Sequence, residues 1–222
     1  MHRISKFNEN FADLNYSIGV NRFYNEIVRY FTEKYKDDVN ILTEYKLYEY
    51  SFPVEIGAYK FNLKFEKDKT GNMYGAEFGF YNDKNLDPYI KLFYDYGYDI
   101  LEILDLNDSN LRHEITHLFD YFKNNRYLNS STNVLNTSGD KPYYNTPEEM
   151  NAYFIQGCTD ILCLLSRYRK VVLKSYDSFK RFFLMNGKVN KFYDSLNDNN
   201  KKFIDKRMMS FFNTISKHSV VI

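Results

Sequence analysis

Leu111-Arg112-His113-Glu114-Ile115-Thr116-His117-Leu118-Phe119-Asp120 is the stretch on which the reading of this 222-residue chain turns. At about 100° per residue its apolar members fall into a helical stripe: Leu111, Ile115, Leu118, Phe119 and, one turn on, Phe122. His113, His117 and Asp120 fall on roughly the opposite side. The spacing therefore predicts a helix with one face in a core and the histidines turned toward something polar. Asp108 or Ser109 is the expected N-cap, and the helix should end near Asn124.

Residues four apart on a helix lie one above the other, so both imidazoles can reach one point. Two histidines so placed suit a metal ion, and zinc takes imidazole nitrogen at about 2.0–2.1 Å. Glu114, beside the first histidine, projects next to that point, where a carboxylate can accept a proton from water held there. With 4 His in the chain, this pattern arises by chance in roughly 0.4% of such sequences, so it carries weight. A catalytic zinc needs a third protein ligand and keeps one position open. Pro147-Glu148-Glu149-Met150-Asn151-Ala152-Tyr153 supplies acidic candidates: proline and acids are what a helix N-terminus favours, so a second helix should run from 147 to about 167. Glu149 and Glu148 are its candidate ligands, and Asp120 is a more remote one.

Outward from these two helices the pattern changes. Residues 21–36 place Phe23, Ile27, Tyr30, Phe31 and Tyr35 at helical spacing. Tyr59, Phe61, Leu63 and Phe65 alternate with Lys60, Asn62, Lys64 and Glu66, as a half-buried strand does. Residues 67–72 have turn chemistry, 74–81 should return as a partner strand, and 88–94 is a further strand. The apolar run 100–106 fits helix or strand equally. The segment 125–147, rich in Asn, Ser, Thr and Gly, reads as loop, and 175–185 and 199–215 as amphipathic helices. The expected fold class is α+β: an N-terminal helix, a mostly antiparallel twisted sheet, a central helix bearing the histidines, and a helical C-terminal half. One domain, 1–222, is expected, with lobes of about 1–125 and 126–222.

Composition narrows the function classes. Lys and Arg (30) nearly cancel Asp and Glu (29), which argues against a nucleic-acid partner. No apolar run of about 18 residues and no leader pattern is visible, so a soluble, cytoplasmic protein without membrane contact is expected, with association with a virus particle also open. Cys158 and Cys163, five apart on a helix, point to different faces; they read as reduced, buried thiols. Most of the 22 Tyr and 20 Phe are expected in the core and on amphipathic surface, the alternative being that part of them lines a wet groove. Nothing in the sequence fixes an oligomeric state.

His113-Glu114-x-x-His117 followed by Glu149-Met150-Asn151-Ala152 resembles the glutamate-zincin (gluzincin) metallopeptidases, whose pattern is His-Glu-x-x-His and then Glu-x-x-Ala on a later helix. Tyr144-Asn145-Thr146-Pro147-Glu148-Glu149 followed by Asn151-Ala152-Tyr153 is also similar to small zincins of phages and bacteria. The specific likeness covers about residues 111–156. It implies a zincin-like fold and hydrolysis of peptide bonds in a peptide or protein substrate. His113, His117 and Glu149 would hold Zn2+, and Glu114 would be the general base that activates a zinc-bound water. The family's oxyanion donor comes from the C-terminal half, where Tyr143, Tyr144, Tyr153 and His218 are candidates. Where relatives place an aspartate four residues after the glutamate ligand, this chain has Tyr153, so Asp120 becomes the candidate to support a histidine. The strand at 75–80 is a candidate edge for an extended substrate. The competing reading is a non-catalytic module, such as a virus-particle component, that keeps the metal for stability.

Overall fold

A computed structural model of the chain describes residues 2–34, 49–67, 75–81, 86–94, 99–124, 143–167, 173 and 175–218. Most of the expected turn at 67–72 and of the expected loop at 125–147 lie outside the described residues. Helices α1 (His2–Lys34), α2 (Ile100–Leu106), α3 (Asp108–Lys123), α4 (Pro147–Arg167), α5 (Tyr176–Phe183), α6 (Gly187–Ser195) and α7 (Asp198–His218) accompany strands β1 (Glu49–Ile56), β2 (Tyr59–Lys67), β3 (Gly75–Gly79) and β4 (Tyr89–Tyr94). The class is α+β. Two compact units divide the chain, Val20–Leu128 and Met1–Gly19 with Asn129–Ile222. Among the described residues no helix is long and apolar enough to cross a membrane.

The first unit is built on a sheet of order β1-β2-β4-β3. β1 and β2 pair antiparallel, β2 and β4 parallel, β3 and β4 antiparallel. The alternation in β2 sends Phe61, Leu63 and Phe65 to one buried face, where Phe52 and Val54 of β1 and Ile90 and Leu92 of β4 join them. Phe31 of α1 meets Phe52 and Phe65 edge-on at ring separations of 5.4 and 5.9 Å. Phe23, about two turns earlier on the same helix, meets Tyr59 at 5.2 Å and Phe119 of α3 at 5.1 Å. Aromatic edges thus join sheet, α1 and α3 into one core, each pair contributing about 0.5–1.5 kcal/mol beyond its buried area. Pro53 sits on β1, at an end of the sheet, where a missing N–H is tolerated. Gly57 supplies the positive φ (59°) of the β1–β2 hairpin, a conformation that costs other residues about 1 kcal/mol or more.

Three local readings change. Helix α1 starts at His2, well before the expected 21. The ambiguous run 100–106 is helix α2, because Asp99 and Glu102 form a reciprocal capping box: Asp99 accepts from the Glu102 N–H at 2.8 Å and donates its own N–H to Glu102 at 2.9 Å. The N-cap of α3 is Asn107 rather than Asp108 or Ser109. Asn107 is fully buried at the α2–α3 joint, its amide donating to the Ile103 carbonyl at 3.1 Å and the Phe93 carbonyl at 3.4 Å. That buried role outranks local capping preference, and it fixes where α3 begins.

In the second unit the core consists of Phe154, Ile155 and Cys158 of α4, Phe179 and Phe183 of α5, Val189 and Phe192 of α6, and Ile204, Met208 and Phe211 of α7. Helix α6, not foreseen from sequence, is capped by Asn186, whose side chain accepts from the Lys188 and Val189 N–H groups. Gly157 of α4 faces Phe183; a Cβ there would come within 2.6 Å of the ring. The Arg207 guanidinium lies 3.9 Å from the Phe154 ring centroid and donates to Asp13 at 2.6 Å and to the Asn151 amide oxygen at 3.2 Å. Both cysteines are free thiols. Cys158 is buried as expected, and burial pushes its pKa well up, whereas Cys163 is only half-buried.

Candidate metal centre

Helix α3 packs against β3 and β4. Leu111 to Leu118 are buried without interruption, so the histidine side of the helix is covered as completely as the apolar stripe. This differs from a helix that shows its polar face to water. The cover is partly local to the sheet: the Phe78 ring of β3 lies nearly parallel to the His117 ring at 6.3 Å and meets Tyr121 at 5.7 Å. Tyr121 is itself buried, on a side of the helix that the apolar stripe left out.

One turn of α3 separates the two imidazoles, which present the same nitrogen to each other. His113 Nε2 and His117 Nε2 are 3.2 Å apart. Two nitrogens bound tetrahedrally at zinc distances are separated by about 3.3 Å, so the pair has the spacing of adjacent ligands. Glu114 accepts a hydrogen bond from the Phe78 backbone N–H at 2.9 Å on Oε2. Just before His113, the buried Arg112 donates to Asn21 at 3.1 Å and Asp108 at 2.9 Å and stacks on Tyr24, tying α3 to α1.

Glu149 is the third residue of α4, after Pro147. The Thr146 hydroxyl accepts its N–H at 3.4 Å, and the turn at 143–146 is held by Asn145. The Asn145 amide oxygen accepts from the Asn197 N–H at 3.0 Å and the Asn200 amide at 2.8 Å, and its amide nitrogen donates to the Ser195 carbonyl at 3.2 Å. These bonds set the start of α4. Ala152 is fully buried. Tyr153, in the place where the resembled family has an aspartate, instead stacks on Phe192 at 4.9 Å and meets Tyr144 at 5.3 Å.

His113, His117 and Glu149 are brought together: one donor atom from each lies within 4.8 Å of the others. They are 5%, 6% and 4% exposed, and Glu114 is 8% exposed. Two imidazoles and a carboxylate, buried and convergent, fit a divalent ion of zinc's type, because buried ionisable groups persist where they are paired or coordinate a metal. Neither Glu148 nor Asp120 belongs to this group of donors. Among the proposed oxyanion donors, Tyr144 is buried, Tyr153 is half-buried and Tyr143 is 38% exposed. The side chains of His2 and His218 lie outside the described residues. Sequence reasoning missed the Phe78 amide, whose link to Glu114 spans 36 residues and leaves no periodic trace. Compared with protein-family models, curated proteins and solved structures, the chain matches none.

Proposed function

We propose that this chain is a zinc-dependent peptidase of the glutamate-zincin type, with His113, His117 and Glu149 as metal ligands and Glu114 as general base. The observation that carries the reading is the convergence of three buried donors within 4.8 Å of one another, with the Glu114 carboxylate next to His113 in the chain and accepting the Phe78 N–H. Zinc in such a site supplies Lewis acidity, making water acidic enough to ionise near neutral pH and polarising a carbonyl. Glu114 takes the proton from the attacking water and returns it to the amine that leaves when the C–N bond breaks. Burial lowers the local dielectric and strengthens each of these charge interactions.

The substrate on this reading is an extended segment of peptide or protein. β3 lies at an end of the strand order, so it can take up a further strand. Its Phe78 N–H is already given to Glu114, so an added strand would pair through the groups that face the same edge two residues away, at Ala76 and Phe80. The protein, loaded with one equivalent of zinc, should cleave a quenched-fluorescence peptide library; cleavage should stop on chelation and return on adding zinc back. A fully loaded protein that cleaves nothing in the library refutes the proposal.

A second reading draws on the near-complete burial of all three ligands, which also suits a closed structural site. Here the ion would act on stability alone. A large fall in melting temperature on chelation, with no turnover of any peptide, distinguishes it from the first.

A further inference from the structure

We infer that the backbone amide of Phe78 is a positioning donor for Glu114, and that β3 serves catalysis by holding the base rather than only by flanking it. The inference rests on the peptidase reading above. Its own support is geometric. The bond is 2.9 Å long and partly buried, and it joins the fourth of the five β3 residues to α3.

In an antiparallel pair the backbone groups of one strand point alternately toward and away from its partner. β3 has β4 on one side, with Phe78 opposite Ile90, and an N–H that reaches α3 is turned away from that ladder. It can therefore serve Glu114 without cost to the sheet. The register that aims it is fixed by close contact: Gly79 lies directly under the Tyr89 ring, where a Cβ would stand 2.2 Å from the nearest ring atom. Phe78 adds a second restraint, its ring resting beside His117 and Tyr121. A slip by one residue would turn the Phe78 N–H toward β4 and away from the carboxylate.

A glutamate carboxylate turns about three side-chain bonds, and a charge-assisted bond from a fixed amide restrains that freedom. Positioning partners of this kind are typically worth about 10–100-fold. Phe78→Pro removes the N–H on an edge strand, at a position turned away from β4 where no ladder bond is lost. Phe78→Ala removes the ring and keeps the N–H. Both are compared as zinc-loaded proteins on one peptide substrate. The expected result is a kcat about 10–100-fold lower in F78P than in F78A, with KM and zinc affinity within about threefold. Equal kcat in the two variants overturns the inference, as does a loss in F78P that appears only in zinc affinity.

A second measurement needs no turnover and no variant of β3. The Phe78 amide hydrogen should exchange with solvent at least tenfold more slowly in the wild type than in Glu114→Ala, while the Ala76 amide is unaffected. Equal exchange overturns the bond and the inference with it. If the wild type cleaves no peptide, the peptidase reading fails and takes the catalytic role of Phe78 with it, while the exchange measurement still decides the contact.

Discussion

Replacing Glu149 by Gln removes one negative oxygen from the group of three donors at almost constant volume. The structure allows the consequence to be sized. Structural zinc sites bind with about 10–16 kcal/mol, so one ligand of three accounts for about 3–5 kcal/mol, or more than a hundredfold in affinity. Zinc at 100 times its dissociation constant stabilises the wild type by about 2.7 kcal/mol. For a chain of this size that is a melting-temperature rise of about 5–11 °C, at roughly 2–4 °C per kcal/mol. At the same zinc concentration the E149Q protein, bound at least a hundredfold more weakly, keeps at most about 0.4 kcal/mol, a rise of about 1–2 °C. Glu148→Gln is the matched control: it removes the same charge from the same first turn of α4, which alone costs about 0.3–1 kcal/mol through the helix dipole. The assay is differential scanning calorimetry of the three proteins with and without zinc. Full zinc stabilisation in E149Q, or its loss in E148Q instead, refutes the assignment of Glu149 to the donor set.

Two further outcomes test the surrounding framework. Gly157→Ala pushes a methyl into the Phe183 ring and should destabilise the protein by about 1–3 kcal/mol, read as a lower urea midpoint at unchanged slope. Burial alone would lower the Lys180 pKa, but hydrogen bonds to Asp205 and Tyr193 outweigh it and hold it well above its ordinary 10.5. A raised folded-state pKa means the contribution is complete below pH 10.5 and is lost as pH climbs through the folded value. Stability measured by denaturant from pH 9 upward should therefore fall more steeply in the wild type than in Lys180→Met, and parallel curves would contradict the pairing.

The parts of the fold legible in sequence were those written in local periodicity. The 3.6-residue stripe of Leu111, Ile115 and Leu118 gave α3, the two-residue alternation of Phe61, Leu63 and Phe65 gave β2, and Pro147-Glu148-Glu149 marked the start of α4. The spacing of His113 and His117 predicted their convergence, because four residues along a helix is a local distance. Helix α2 was recoverable in principle: Asp99 and Glu102 form the capping box, yet the apolar run behind them suits a strand as well. The parallel pairing of β2 with β4, the burial of the histidine side of α3 and the Phe78 amide on Glu114 depend on which segments meet across the chain, and no residue pattern within any one segment encodes that.

The most direct trial is a paired measurement of zinc content and peptide cleavage on wild type and Glu114→Gln. If Glu114 is the proton acceptor and not a ligand, both proteins carry one zinc per chain and cleavage falls by at least a hundredfold in the variant. Undiminished cleavage by a zinc-loaded E114Q protein, or loss of the metal from it, contradicts the account.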